Sequence, residues 1–261
     1  MIDTHAHLYS EEFELELEEI MGRALNSGVK HILLPNIDKE SIAPMEALCN
    51  RFSNCIPMMG LHPGYVKEDW EVQLKSIESK LFANPRAFCA VGEIGMDLYW
   101  DQTFLEEQKI VFRKQIQWAK QLKLPIAIHA RNAFDEIFEI LDSENSTELC
   151  GVFHCFTGNQ EQAKHILGYG NFFLGIGGVV TYKNSELPTV LKEIDLQYLV
   201  LETDAPYLPP VPYRGKRNES SYLSFVADKL ADIYSVSSKE IAEETTKNAI
   251  KLFHLEKFNI S

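Results

Sequence analysis

The chain has 261 residues, of which 45% are hydrophobic and 24% are charged, and its formal net charge is −13. That length allows a large core and matches the roughly 250 residues of a single (β/α)8 barrel. The acidic balance excludes a broad basic surface that binds nucleic acid nonspecifically, and no apolar run approaches the ~18 residues of a membrane span.

Strand-like and helix-like segments alternate along the chain. The first segment, 1–8, is predicted to be a strand, and the apolar residues between Phe13 and Ala24 then recur at spacings of three and four, as in an amphipathic helix. Further strands are predicted at 30–34, 56–60, 88–92, 126–129, 151–153, 172–176 and 198–201. Helices are predicted between them at 41–52, 70–82, 103–122, 133–141, 160–167 and 186–194.

Two further helices follow the eighth strand. Leu223, Val226 and Leu230 form one apolar face, and the spacing of Ser237 and Glu240 predicts a capping box at the start of the last helix. Eight strands that alternate with helices predict a parallel sheet, and their number favours closure. We therefore predict an α/β protein, a single-domain (β/α)8 TIM barrel over residues 1–261 with extra C-terminal helices.

The five cysteines are odd in number and lack Cys-x-x-Cys spacing, which argues against a disulfide framework and a zinc ribbon. The first predicted strand begins almost at Met1 and leaves no room for a signal peptide. We therefore expect reduced thiols and a cytoplasmic location. No feature predicts a membrane partner or an obligate protein partner.

Candidate metal ligands stand where the predicted strands end. His5 and His7 are one residue apart, so an extended backbone directs both side chains to the same face. Four more candidates each follow or finish an apolar run: Glu93, His129, His154 and Asp204. The carboxyl ends of barrel strands meet at one mouth, where the active sites of such barrels lie. We expect all six side chains to converge there.

Imidazole and carboxylate ligands suit Zn, Mn, Fe, Co or Ni, with Mg possible at a carboxylate-rich position. Six ligands exceed the three protein ligands of a usual catalytic zinc. This excess predicts two divalent ions, and Glu93, which falls between the two histidine groups in barrel order, is the predicted bridge.

A series of short motifs covers essentially the whole chain. They are Asp3-Thr4-His5-Ala6-His7-Leu8, Gly60-Leu61-His62-Pro63, Gly92-Glu93-Ile94-Gly95-Met96-Asp97, His129-Ala130-Arg131, His154-Cys155-Phe156-Thr157-Gly158, Gly175-Ile176-Gly177-Gly178, Leu201-Glu202-Thr203-Asp204-Ala205-Pro206-Tyr207-Leu208 and Arg214-Gly215-Lys216-Arg217-Asn218. In this order and spacing the chain resembles the TatD-related metal-dependent hydrolases, often described as TatD DNases. The resemblance implies a TIM barrel, divalent metals on the six candidate ligands, and hydrolysis of phosphodiester bonds in DNA, acting from the 3′ end of single strands.

Asp204 is the predicted general base, because a carboxylate at the mouth that also touches a metal can take a proton from the attacking water. His62 and Arg131 face the same mouth and are predicted to donate to phosphate oxygens. Arg214, Lys216 and Arg217 form the one basic cluster of the chain. They either bind the nucleic-acid strand or form a solvated loop.

Other residues near the predicted mouth leave alternatives open. Glu202 either orients a metal-bound histidine, which we favour, or helps to hold a third ion. The glycine-rich segment 175–178 either binds phosphate through its backbone N–H groups or forms a tight turn that needs positive φ. Tyr99, Trp100 and Phe156 either stack on unpaired bases or pack within the protein.

Three functions are compatible with these residues. The favoured one is a metal-dependent deoxyribonuclease with single-stranded DNA as its substrate. The second retains the metals but hydrolyses another ester or amide, such as an aminoacyl ester on tRNA or a lactone. The third is a non-catalytic interaction barrel, which the ligand set disfavours because clustered carboxylates repel one another.

Overall fold

Parallel strands alternate with helices over residues 1–260, the part of the chain that the computed structural model describes. The strands are β1 Ile2–Asp3, β2 His31–Pro35, β3 Cys55–Met58, β4 Val91–Asp97, β5 Ile126–Arg131, β6 Gly151–Phe153, β7 Phe172–Ile176 and β8 Leu199–Leu201. The helices are α1 Leu17–Asn26, α2 Ile42–Arg51, α3 Trp70–Ala83, α4 Leu105–Leu122, α5 Phe134–Glu144, α6 Gln160–Gly168, α7 Leu187–Leu191, α8 Leu223–Tyr234 and α9 Ser238–Phe253.

Backbone hydrogen bonds close the strands into a barrel. Continuous ladders join β1 to β3 and β4 to β8 in chain order. At one seam the Cys89 N–H donates to the Pro57 carbonyl at 3.0 Å, which links β3 to the chain entering β4. At the other seam the Thr4 N–H donates to the Leu201 carbonyl at 2.9 Å, and the His7 N–H donates to the Ala205 carbonyl at 2.7 Å. The predicted TIM barrel with additional C-terminal helices is confirmed.

The interior of the barrel is apolar and closed at the end where the strands begin. Alternate strand residues, such as Ala127 on β5 and Val152 on β6, form an inner cluster that Phe253 of α9 also joins. Lys257, just beyond α9, donates at 2.9 Å to the carbonyl of Phe88, three residues before the start of β4. Because the C-terminal segment covers the starts of the strands, the accessible mouth lies at their carboxyl ends.

Predicted strand ends are wrong at three candidate sites, one of which is β5, where the strand continues past His129 to Arg131. β1 ends at Asp3, so His5 and His7 lie beyond the strand and not on it, in a segment that pairs with the end of β8 through the Ala6–Ala205 bridge. β4 does not end at Gly92 but continues to Asp97, because its second half pairs with β5. Glu93 therefore lies within β4 and not after it.

The last helix begins at its predicted local signal, whereas α7 is shorter than the predicted 186–194 and spans Leu187–Leu191. The capping box between Ser237 and Glu240 forms as predicted, with the Glu240 N–H donating to Ser237 Oγ at 3.2 Å. Within residues 1–260 no helix has both the length and the apolar composition that crossing a membrane requires.

A partly buried ion pair ties α1 to the segment before α8. Arg23 donates to both carboxylate oxygens of Glu219, at 2.8 and 2.6 Å. Burial alone would raise the pKa of Glu219, but the hydrogen bonds from Arg23 and Ser221 lower it below its ordinary 4.5. A carboxyl group with a depressed pKa stabilises the fold above its unfolded-state pKa, and that contribution is lost as the pH falls through the folded-state value.

Replacement of Arg23 by alanine should therefore lower the free energy of unfolding at pH 7 by about 1–3 kcal/mol, since it leaves a buried carboxylate without its charged donor. The deficit should shrink as the pH falls below 4.5, the ordinary pKa of Glu219. Urea unfolding at neutral and acidic pH measures both effects. The control is Arg51→Ala, which breaks the exposed pair with Glu18 and should cost about 0–1 kcal/mol. Equal losses in the two variants would contradict the assignment.

Candidate metal centre

The six predicted ligands lie together at the carboxyl ends of the strands, with Glu93 at their centre. Glu93 Oε2 lies 3.2 Å from His5 Nε2 and 3.6 Å from His7 Nε2. Its other oxygen, Oε1, lies 2.9 Å from His129 Nδ1 and 3.6 Å from His154 Nε2. One carboxylate thus presents a different oxygen to each of two histidine groups, which is the arrangement that a bridging ligand requires.

Asp204 completes the ring of candidate ligands. Its Oδ1 lies 3.4 Å from His7 Nε2, 3.8 Å from His154 Nε2 and 3.9 Å from His5 Nε2. The backbone at Asp204 is left-handed, with φ of 57°, a conformation that aspartate and asparagine tolerate better than most residues. The Asp204 N–H donates to the His5 carbonyl at 2.9 Å. The seam between β8 and β1 therefore fixes this side chain opposite the histidines.

Asp3 stabilises the same seam between β1 and β8, a role that the sequence did not predict. It is fully buried and accepts hydrogen bonds from the Thr203 N–H at 2.9 Å and from Thr203 Oγ1 at 2.7 Å. Burial raises the pKa of Asp3 to about 7. The position of Asp3, two residues before His5 and on the same face of an extended chain, could have indicated that it lies near the site. Its partner, Thr203, is 200 residues away in the chain and could not be predicted.

Two further carboxylates hold candidate ligands from behind. Asp97 Oδ2 lies 2.9 Å from His129 Nε2, and Glu202 Oε1 lies 3.0 Å from His154 Nδ1, so in each ring the other nitrogen faces Glu93. The Cys155 N–H also donates to Glu202. Carboxylates in this position fix the orientation of a ligating imidazole and increase its basicity.

The glycines of the segment 175–178 provide space for this arrangement. A Cβ atom at Gly175 would lie 2.2 Å from Glu202 Oε2, and one at Gly178 would lie 2.2 Å from the Leu208 carbonyl oxygen. None of these glycines has a positive φ, so the tight-turn interpretation is wrong. The neighbouring Glu202 carboxylate also makes Gly175 an unfavourable position for a phosphate.

The donor set fits divalent metal ions. Most of the separations between imidazole nitrogens and carboxylate oxygens are 3.4–3.9 Å, longer than a normal N–H···O hydrogen bond. Two ligand atoms that each lie about 2.1 Å from one ion are about 3.0 Å apart at a right angle and about 3.4 Å apart at the tetrahedral angle. Most of the ligand atoms are therefore spaced to share ions rather than to hydrogen-bond one another, although Glu93 also lies within hydrogen-bond distance of His5 and His129.

The two acidic candidate ligands, Glu93 and Asp204, are held in their ionised form. Burial alone would raise the pKa of Glu93, but the surrounding imidazoles of His62, His5 and His154 more than offset it and hold that pKa well below its ordinary value. The same competition, with His154 as the largest opposing influence, lowers the pKa of Asp204. Both carboxylates are therefore anionic at neutral pH, the form in which they bind metal ions.

His62 lies beside the cluster, but its hydrogen bonding makes it a donor. Its Nδ1 accepts a hydrogen bond from the Gly64 N–H at 3.0 Å, so the proton of the neutral ring is on Nε2. Burial lowers the pKa of His62 to about 3, which keeps the ring neutral. Its Nε2 lies 3.5 Å from Glu93 Oε1. A protonated ring nitrogen can donate to an anion but cannot ligate a metal.

The three residues of the predicted basic cluster have different neighbours. Arg217 pairs with Glu16 at 2.8 Å, so its charge is already compensated. The other basic residues predicted to bind substrate lie over aromatic rings: Arg131 over Tyr99 and Trp100, Arg214 over Tyr182, and Lys216 over Tyr213. Phe156 is only 2% exposed, so it packs in the core rather than at a stacking surface.

Comparison with known proteins gives one consistent family. The family model described as TatD related DNase matches residues 2–254. The uncharacterized metal-dependent hydrolase YabD of Bacillus subtilis is 39% identical over 256 residues, covering 98% of this chain and 99% of YabD. The crystal structure of YjjV, a TatD homolog from Escherichia coli, superimposes with a TM-score of 0.92 at 31% identity and covers 97% of this chain and 98% of YjjV. A TatD family hydrolase from Entamoeba histolytica, at 22% identity and a TM-score of 0.85, shares the fold over 97% of each chain. With ligand types, fold and sequence in agreement, the chain belongs to the family of TatD-related DNases and is a metal-dependent hydrolase.

Proposed function

We propose that this hydrolase cleaves phosphodiester bonds in DNA and removes nucleotides from the 3′ end of single strands. The observation that carries the proposal is the Glu93 carboxylate, whose two oxygens face two separate histidine groups. Such a pair of sites suits displacement at phosphorus, in which charge develops on both the attacking and the leaving oxygen. The 3′ polarity rests on the family resemblance alone.

The residues that would hold the ions are His5, His7, Glu93, His129, His154 and Asp204. We propose two divalent ions, and Zn, Mn, Mg, Ni and Co are all compatible with these ligands. When bound, they supply Lewis acidity that lowers the pKa of water and offsets negative charge on the phosphoryl group.

The chain itself supplies proton transfer and orientation. Asp204, anionic and at the mouth, accepts the proton of the attacking water. His62 directs its Nε2 proton toward the same space and donates to a phosphoryl oxygen. Asp97 and Glu202 hold His129 and His154 in their productive orientations.

Substrate binding falls to Arg131, Arg214 and Lys216 at the rim, which would contact phosphates on either side of the cleaved bond. These three cations lie against aromatic rings, and within residues 1–260 none of them pairs with a carboxylate, in contrast to Arg217. In a chain of net charge −13 such cations are the available contacts for a polyanion.

The cytoplasmic location remains a prediction.

A substrate panel tests the proposal. The protein is stripped of metal with a chelator, reloaded with Mg, Mn or Zn, and incubated with 5′-labelled single-stranded DNA, duplex DNA, RNA and aminoacylated tRNA. We expect metal-dependent shortening of the single-stranded DNA in steps of one nucleotide, and no product in the chelated sample. Release of the amino acid from tRNA with intact DNA would instead support the carbonyl-ester alternative and overturn the proposal.

A further inference from the structure

Two large aromatic side chains are exposed beside the candidate metal centre. Tyr99 is 52% exposed and Trp100 is 76% exposed, and they lie two and three residues beyond the end of β4. Tryptophan is rarely left in water to this extent, and exposed aromatic patches mark binding surfaces. Because the pair lies at the mouth of the barrel, we expect its ligand to be one that also reaches the candidate metal centre.

Arg131 gives this pair a defined geometry. Its guanidinium carbon lies 4.1 Å from the centre of the Tyr99 ring and 5.2 Å from that of Trp100, and the two rings meet edge to face at 4.8 Å. Within residues 1–260 no carboxylate pairs with Arg131, whereas Arg51 and Arg113 on the outer helices each pair with a glutamate. The guanidinium therefore retains hydrogen-bond donors for an external anion.

The aromatic pair is linked to the candidate ligands through a single carboxylate. Asp97 Oδ1 accepts a hydrogen bond from the Tyr99 N–H at 3.0 Å, and Asp97 Oδ2 lies 2.9 Å from His129 Nε2. On β5, Arg131 follows His129 by two residues, the spacing at which strand side chains share a face. One carboxylate thus joins the loop of the exposed rings to a candidate ligand, which places the rings beside the proposed reacting centre.

We propose that Trp100 and Tyr99 form a stacking site for an unpaired nucleobase of the substrate, next to the phosphate that is cleaved. The inference rests on the proposed action on single-stranded DNA. A nucleic-acid strand alternates flat bases with anionic phosphates, which matches an exposed ring beside a free guanidinium. Bases in a duplex are already stacked on one another, so the site selects single strands.

The occupant is a base rather than an apolar peptide or a lipid surface because the patch is small and cationic. Its centre is an arginine, and the loop that follows supplies Asp101, paired with Lys67 at 3.0 Å, instead of further apolar residues. Stacking also solves a problem of affinity: a chain of net charge −13 cannot rely on many phosphate contacts. Each stacked base contributes a roughly 5- to 150-fold gain in affinity, whatever the sequence.

Fluorescence anisotropy of a labelled oligothymidylate, measured in chelator so that no cleavage occurs, tests the site directly. Trp100→Ala should weaken binding by roughly 5- to 150-fold, while Trp100→Phe, which keeps an aromatic face, should lose much less. The control is Ile110→Ala, which removes an exposed apolar side chain from α4 (53% exposed) and should bind as the wild type does. Circular dichroism and thermal unfolding confirm that the variants are folded.

The decisive measurement combines protein and substrate changes in one cycle. Replacing one nucleotide at a time by an abasic residue should weaken wild-type binding at one position, and the same replacement should have no effect on Trp100→Ala. Any of three results would overturn the stacking site. Trp100→Ala could bind with wild-type affinity, it could lose affinity equally for abasic and complete strands, or the wild type could fail to bind. Coupled binding without cleavage after metal is added would overturn the proposed function and leave the stacking site standing. Cleavage without coupled binding would overturn the stacking site and leave the proposed function standing.

Discussion

Replacement of Glu93 by glutamine is expected to lower hydrolysis of the cognate substrate by roughly 1,000-fold or more, because the ions that would lower the pKa of water lose their shared ligand. The two side chains have nearly the same shape, and the carboxylate interacts with histidines on both sides, at 3.2 Å from His5 and 2.9 Å from His129. An amide oxygen is a weaker ligand than a carboxylate, and the amide nitrogen cannot ligate a cation at all. The variant should therefore bind less metal as well as turn over more slowly.

Metal content and turnover must be measured on the same Glu93→Gln preparation. After loading and dialysis, elemental analysis should find fewer divalent ions per chain than in the wild type, with an unchanged far-ultraviolet circular dichroism spectrum. Glu106→Gln is the matched control, since Glu106 is 75% exposed on α4 and its one ion pair among residues 1–260 is with Lys109. If the Glu93 variant kept the native metal content and near-native turnover, the proposed role of Glu93 as the shared metal ligand would be wrong.

Local patterns were sufficient to find the side chains that converge at the mouth of the barrel. The spacing of His5 and His7 correctly predicted that both rings face the same way, and both lie beside Glu93 Oε2. This holds although β1 is only two residues long, because side chains continue to alternate between faces in the segment beyond it. His129 and His154 followed from the rule that barrel strands carry chemistry at their carboxyl ends. Capping of α9 by Ser237 followed from neighbouring residues alone.

Features that depend on distant partners could not be predicted. β4 continues past Gly92 because β5 pairs with Gly95 and Met96, and no residue pattern within β4 predicts that pairing. Arg217 belonged to a basic cluster by sequence, yet it pairs with Glu16 across about 200 residues of chain. Gly175 owes its lack of a side chain to the approach of Glu202 and not to its own backbone conformation.

Asp204→Asn is the second substitution with a large expected effect, and it separates proton transfer from folding. Asparagine tolerates the left-handed φ of 57° at this position, and its backbone N–H can still donate to the His5 carbonyl. The neutral amide cannot accept a proton from water, so turnover should fall by roughly 100- to 10,000-fold, the usual contribution of a general base. Thermal unfolding should show that the metal-free variant is as stable as the metal-free wild type within about 1 kcal/mol.

Two further variants show which property of Asp204 matters. Asp101→Asn removes the same charge from the rim, where Asp101 pairs with Lys67, and should retain near-native turnover. Asp204→Ala removes the carboxylate and also places a side chain with no local hydrogen bonding in the left-handed region, at a cost of about 1–2 kcal/mol. If Asp204→Asn cleaved DNA at the wild-type rate, the base would have to be sought elsewhere in the cluster. If the asparagine and alanine variants were inactive but only the alanine variant were destabilised, the carboxylate itself, and not the shape of the loop, would be what catalysis requires.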